Sequence, residues 1–357
     1  MDFDQTQPLK LEPEAVRFHG KGSEYFQIWI VNLLLTIVTL GIYSAWAKVR
    51  RLQYFYRNTE LAGSSFEYHG KPLTILKGRI VGLLLLLVYR FGFQVSFVVG
   101  VLSLLLLAGL LPILLRNSLR FRLYNSSYRG LRFRFSGGVA GAYGVFLGGF
   151  FGSLFSLYLL APLFHRRLKD YQHGNSWYGQ TRFSFHATTG QFYGIYGRGL
   201  LMLLALGFGL GLLSSLLFHG QAPHFVAGTK PDPREMMRFI LPIMLVVYLP
   251  SVLFMAAYFG ARLQSLIWTN TRLGEHRFDY RLSARRLLWI YFSNSLGVIL
   301  TLGFYSPWAA VRLARYHAEH MTLLPASSLQ TLVADQPQDV GAIGEEAASV
   351  FDIDISF

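Results

Sequence analysis

The sequence predicts an all-α, polytopic membrane protein of about seven transmembrane helices, built from internal repeats, with short strand-and-turn motifs at the surface between spans. Three observations carry this. Only 15% of the 357 residues are charged and 52% are hydrophobic, against roughly 25% charged in soluble domains. The mean hydropathy is +0.36, and the apolar residues gather in blocks long enough to cross a bilayer, which takes about 20 residues as helix. The chain also states one segment twice: Thr39-Leu-Gly-Ile-Tyr-Ser-Ala-Trp46-Ala-Lys-Val-Arg50 returns as Thr301-Leu-Gly-Phe-Tyr-Ser-Pro-Trp308-Ala-Ala-Val-Arg312.

In chain order, residues 1–24 form a polar N-terminal segment, 25–322 a repeat-built transmembrane domain, and 323–357 an acidic tail without periodicity, expected to be disordered. The first residues carry Asp2, Asp4, Glu12 and Glu14 where a cleavable signal is basic, so the first span is expected to act as its own insertion signal. Apolar blocks lie near 26–46, 139–164, 194–218, 238–262 and 287–311. The stretch 72–115 is too long for one span, and Arg90-Phe-Gly92 is its expected break, giving helices near 73–89 and 93–115.

Between blocks a second motif recurs. It begins at Asn58, Asn125, Asn175 and Asn270, with a glycine (Gly63, Gly130, Gly179, Gly274) four or five residues on and aromatic residues eight and ten on. Two readings apply: a ligand loop, or an Asn-capped turn leading into a short amphipathic strand at the membrane surface. A single block separates the second motif from the third, which poses a topological problem. Either the repeats alternate in orientation, or the glycine-rich block Gly137–Phe164 dips into the bilayer and returns.

The net charge is +14, but the cations stand at the ends of apolar blocks, as in Lys48, Arg50, Arg51 and Arg57. That placement suits anionic lipid headgroups and not nucleic acid. The chain has no cysteine, so disulfides and thiolate chemistry are excluded. No cofactor and no metal are expected: there is no phosphate-binding loop, and His317 and His320 have no third ligand. No Asp, Glu or His falls in the middle of a block, which disfavours an intramembrane enzyme.

The candidate site is a stripe. Asn32, Thr36, Thr39, Tyr43, Trp46 and Arg50 are spaced to share one helical face, and Asn294, Thr301, Tyr305, Trp308 and Arg312 repeat it, with Val298 at the remaining position. A polar stripe does not face lipid, because an unpartnered amide there costs several kcal/mol. It is therefore either helix–helix glue or a groove between the first and last spans that binds or conducts a ligand. Pro307 is expected to kink the second copy. Transport or channel-like function is the first expectation; the alternative is a non-catalytic envelope or scaffold protein that binds anionic lipid or a partner protein.

The doubled segment, the Asn-Thr…Gly…Phe-x-Tyr-His-Gly run that follows its first copy, and Arg315-Tyr-His-Ala-Glu-His320 together resemble the YjgN family of bacterial inner-membrane proteins, over residues 16–322. The resemblance implies a multi-pass protein of the bacterial inner membrane. The family's function is unknown, so it assigns no site residue. The middle of the chain departs from the pattern, with Ile113 and Leu163 after Pro112 and Pro162 where tryptophan is expected.

Overall fold

The computed structural model describes residues 12–217, 234, 237 and 248–327. Its unit is a helical hairpin followed by a β-hairpin. The first unit has α1 (Gly22–Val38), α2 (Ser44–Arg57), β3 (Thr59–Leu61) and β4 (Ser64–Tyr68). The second has α3 (Pro72–Val95), α4 (Phe97–Tyr124), β5 (Ser126–Tyr128) and β6 (Leu131–Phe135). The third has α5 (Val139–Phe155), α6 (Ala161–Gly174), β7 (Ser176–Tyr178) and β8 (Thr181–Phe185). The fourth has α7 (Thr189–Leu217), α8 (Leu249–Thr269), β9 (Thr271–Leu273) and β10 (His276–Tyr280).

The fifth unit is split between the two ends of the chain. Helices α9 (Ala284–Leu300) and α10 (Ser306–Glu319) lead into β11 (Met321–Leu324), and its partner strand is N-terminal: β1 (Glu14–Ala15), continued as β2 (Arg17–Phe18). β1 pairs with β11 and β2 with β3, while Val16 N–H donates to the Met321 carbonyl at 2.9 Å. The antiparallel sheet is therefore a nearly closed barrel, its ends joined through the segment that carries β1 and β2. The helices close as well, since each hairpin's second helix packs on the next hairpin's first, and α10 packs on α1.

One backbone bond recurs around the ring. His19, His69, Ser136, His186 and Arg281 each donate N–H to the carbonyl of Asn58, Asn125, Asn175, Asn270 and His320 in turn. The asparagines end their helices: each Nδ2 donates to the carbonyl four residues back, at 2.8–2.9 Å. The following Thr59, Ser126, Ser176 and Thr271 hydroxyls do the same for the next carbonyl. Gly63, Gly130, Gly179 and Gly274 hold positive φ in the β-turns.

Inside the barrel stand Leu61, Tyr128, Tyr178, Leu273 and Leu323 from β3, β5, β7, β9 and β11, Phe66, Phe133, Phe183 and Phe278 from β4, β6, β8 and β10, and Val16 from between β1 and β2. Phe66 stacks on Tyr128 at 4.8 Å and Phe133 lies 5.0 Å from Tyr178. The interior is a packed core, as in other small barrels.

The all-α expectation of seven spans is overturned. Among the described residues, three helices are long and apolar enough to cross a membrane: Pro72–Val95, Phe97–Tyr124 and Thr189–Leu212. Blocks 26–46, 139–164 and 287–311 are not single spans, because each folds back on itself as α1/α2, α5/α6 or α9/α10. The strand motifs consequently share one face and one sheet, which removes the inverted-repeat alternative; Gly137–Phe164 folds back on itself, as the other hairpins do. The break in 72–115 falls at Ser96, not at Arg90-Phe-Gly92. Residues 14–18, expected as a polar lead, are barrel strand, and Leu323 and Leu324 of the expected tail lie in β11. Residues 328–357 and the block's portion 238–247 lie outside the described residues.

Candidate functional site

The doubled segment is built to reverse the chain. Thr39 Oγ1 donates to the Leu35 carbonyl at 2.7 Å and accepts Tyr43 N–H at 2.9 Å. Leu40 and Gly41 take positive φ (48° and 92°), Gly41 N–H returns to the Thr36 carbonyl, and the Ser44 hydroxyl caps the Gly41 carbonyl. The second copy repeats these bonds through Thr301, Tyr305, Gly303 and Ser306. The turn satisfies its own polar groups, as backbone at membrane depth must, and its tip leucines face outward: Leu40 is 95% exposed and Leu302 89%.

The polar stripe therefore does not run along one helix. α1 ends at Val38 and α2 starts at Ser44, so Asn32 and Thr36 lie on one arm of a hairpin and Trp46 and Arg50 on the other. Pro307 occupies the first turn of α10, where it interrupts no helical bond, and the expected kink is absent there. Tyr43 stacks on Trp46 and Tyr305 on Trp308, 6.0 and 6.2 Å apart, and Arg50 lies over Tyr43 at 5.6 Å.

The copies are related by rotation around the ring, so each looks toward the next hairpin. Trp46 packs with Val49 and Ile75 at the α2–α3 contact, while Trp308 lies 5.0 Å from Phe26 of α1. Asn294 is buried inside its own hairpin: Nδ2 donates to the Ala309 carbonyl, and Oδ1 accepts from Arg312, which also donates to Ser293. Asn32 is 7% exposed, yet its Oδ1 accepts no hydrogen bond among the described residues; the Tyr43 hydroxyl is likewise buried without a partner.

Asn32 opens into a cavity of about 570 Å³ at the seam where the last hairpin meets the first. Thr36 and Ser44 line it from the first hairpin, Ser306 and Ala310 from α10, and Arg79 from α3. Lys48 and Arg51 of α2 also line it, and among the described residues no carboxylate does. The Thr36, Ser44 and Ser306 hydroxyls donate to backbone carbonyls, so toward the cavity they offer acceptor lone pairs. The surface is thus mixed: charged donors beside neutral acceptors.

A family model described as a bacterial protein of unknown function (DUF898) matches residues 13–350, from the ring-closing strand β1 through β11 and beyond. The chain belongs to that family. This DUF898 protein is 36% identical over 130 residues to inner membrane protein YjgN of Escherichia coli K12, covering 35% of this chain and 31% of that one. It is 37% identical over 136 residues to the O157:H7 protein of the same name, covering 36% and 32%. Against the Salmonella typhimurium YjgN the figures are 51% over 51 residues, 14% and 13%. The matched stretch thus spans about a third of the E. coli relatives or less, and no solved structure matches. With its apolar, outward-facing helices, this DUF898 protein is a multi-pass protein of the bacterial inner membrane.

Sequence reasoning missed Lys48, Arg51 and Arg79 as a group. Lys48 and Arg51 are three apart on one helix, which is a readable signal. Arg79 joins them only because α3 packs beside α2 in the ring.

Proposed function

We propose that the seam cavity is the substrate site of a transport-type membrane protein, and that its substrate is a hydroxyl-bearing anion such as a glycerol phosphate. The observation that carries this is Asn32: a buried amide whose Oδ1 accepts no hydrogen bond among the described residues, in a cavity that Arg51 also lines. In the equivalent hairpin Arg312 answers Asn294. At the seam that role falls to a ligand whose charge meets Arg51 and whose hydroxyl donates to Asn32. The filled barrel interior argues that solute does not pass along the ring axis but at the seam. The test is a thermal-shift titration of the purified full chain with sn-glycerol 3-phosphate, inorganic phosphate and glycerol. Glycerol phosphate is expected to stabilise most, with the effect lost in Arg51→Gln and reduced in Asn32→Ala. Equal shifts in the parent and both variants, or no shift with either anion, overturn the reading.

Anionic-lipid binding, the scaffold reading, has its own observation. A trough of about 830 Å³ runs between α7, α8 and α9, with Arg285 and Arg286 at the barrel end of α9 and Leu206, Leu210, Pro250 and Phe254 further along. Leu206 stands 17 residues into α7, roughly 25 Å from its start, about the reach of an acyl chain. Retention of phosphatidylglycerol over phosphatidylcholine on the purified protein, abolished by Arg285→Gln with Arg286→Gln, is the expected outcome. Equal retention of both lipids removes it.

A further inference from the structure

Neighbouring arginines of α2 serve different hollows. Arg51 lines the seam cavity, whereas Arg50 lines a separate groove of about 470 Å³ in the first hairpin. Arg57, two turns further along the same helical face and roughly 10 Å away, lines that groove too. Gln27 and Val31 of α1 form the other wall, with Gln53 between the arginines. Both arginines are exposed, and among the described residues no carboxylate lines the groove. Glu24 bonds the Tyr54 hydroxyl at 3.3 Å, and its charge is met by Lys21 at 3.5 Å. Beyond Val31 the same face of α1 carries Leu34, Leu35 and Val38, all exposed. The groove therefore joins a cationic end, where α2 runs into β3, to an apolar face that rises toward the hairpin tip.

The last hairpin shows how the same positions are used elsewhere in the ring. Asn294, Trp308 and His320 align it with Asn32, Trp46 and Asn58 of the first. Arg312 then stands where Arg50 does, and it spends its guanidinium inside the hairpin, on Ser293 and Asn294. Val31 replaces that serine in the first hairpin, and Arg50 lies over the Tyr43 ring instead. Arg57 corresponds to Glu319, and to Tyr124, Gly174 and Thr269 in the middle units, so no other unit has a cation there. Gln27 corresponds to Trp289, which is 55% exposed. Three differences thus point the same way: an arginine turned outward, a cation in place of an acid, and an amide in place of an indole. A demand of the scaffold would be met alike in both hairpins. Two guanidiniums two turns apart suit two phosphates, each held in its own bidentate fork, better than one. Basic pockets between membrane helices take headgroups of that kind, and the exposed side chains of α1 offer an acyl chain its surface.

We propose that this groove holds a bilayer lipid with two phosphates in its headgroup, of the diphosphatidylglycerol type. One phosphate lies on Arg50, the other on Arg57, and an acyl chain runs along Val31, Leu34 and Val38. The site is separate from the seam cavity and from the trough between α7, α8 and α9, and depends on neither. The purified full chain in phosphatidylcholine nanodiscs receives diphosphatidylglycerol, or phosphatidylglycerol at equal total charge, and retained lipid is counted by native mass spectrometry. Retention of the two-phosphate lipid is expected to exceed that of the other about tenfold or more, the usual effect of one further charge-assisted hydrogen bond. Arg57→Gln is expected to erase the preference, Arg57→Lys to keep part of it, and Arg285→Gln with Arg286→Gln to leave it unchanged. Equimolar inorganic pyrophosphate, which has two phosphates and no chain, is expected not to displace the lipid. Should Arg57→Gln not fold, Gln27→Trp with Arg57→Glu writes the last hairpin's residues into the first and is expected to remove the preference in a folded chain. The proposal is overturned if both lipids are retained alike, or if a folded Arg57→Gln or double variant keeps the parent's preference. It is equally overturned if the preference follows Arg285 and Arg286, or if pyrophosphate displaces the lipid mole for mole, which makes the groove a site for free phosphate.

Discussion

Replacing Gly41 by alanine decides between a hairpin and a continuous span. Gly41 holds φ +92°, and a Cβ built there meets no atom within 4 Å, so the substitution tests backbone conformation alone. An L-residue forced into left-handed backbone costs roughly 1–2 kcal/mol, a factor of about 5–30 in the folding equilibrium. Gly144 provides the opposite case. It lies inside α5, its Cβ position is equally open, and alanine there removes glycine's helix penalty of roughly 0.5–1 kcal/mol. Were residues 26–46 one unbroken helix, Gly41 would be mid-span and Gly41→Ala would stabilise just as Gly144→Ala does. The assay is reversible unfolding in mixed micelles by SDS titration, followed by circular dichroism. Opposite signs for the two alanines are expected; the same sign for both refutes the hairpin.

Three further outcomes follow from named contacts. Thr39→Val keeps the side-chain shape but removes the acceptor of Tyr43 N–H and the donor to Leu35, and is expected to cost about 1–3 kcal/mol in the same titration, as is Thr301→Val. Burial lowers the pKa of His173 to about 3 and that of His317 to about 4, with the nearby Lys169 and Arg122, and His320, adding to the effect. Their unfolded forms take up protons below about pH 6.5 while the folded forms do not, so stability is flat above that pH and falls as pH drops toward 4, by roughly 2 kcal/mol per histidine at pH 5; melting temperature against pH checks this, and His317→Gln flattens the slope. Removal of residues 1–19 takes away both pairings of the closing strand, leaving β3 and β11 as free edges, and is expected to shift the chain from a discrete species to aggregates in size-exclusion chromatography.

Much of the local structure is legible in the sequence, because local chemistry makes it. The asparagine with a glycine four or five residues on places an amide at a helix end and a glycine where φ turns positive, and both are found there. The helical reversal was equally written in Thr-Leu-Gly-x-Tyr-Ser, but its spacing of polar residues also fits one face of a straight helix, and the two differ only at Leu40 and Gly41. The third reversal carries the same function in other letters: Ser156 donates to Ser153 and accepts Leu160 N–H, while Leu157 and Tyr158 take positive φ. A pattern search for the glycine passes over it. Closure of the barrel is harder still to see, since Glu14-Ala-Val16 completes a hairpin whose other strand, β11, is some 300 residues away, and only the shared face of the other motifs points to the vacancy it fills.

That shared face also changes what the doubled segment says about function. Its fidelity looked like the mark of a site lined by both copies, yet most of the repeated groups are spent on turning the chain: threonine on the cap, glycine on φ, serine on the last carbonyl. What a repeat preserves in every copy is what the scaffold needs in every copy. Chemistry that serves a ligand has to appear where equivalent positions disagree, since a ring of identical walls offers no direction to an asymmetric molecule. Asn32 and Asn294 are the same residue in the same place, and the difference between them lies in a neighbour: Ser293 and Arg312 close around one amide, while Val31 stands at the serine's position beside the other, and Arg50 lies over Tyr43 instead. The seam cavity is found by that divergence and not by the repeat.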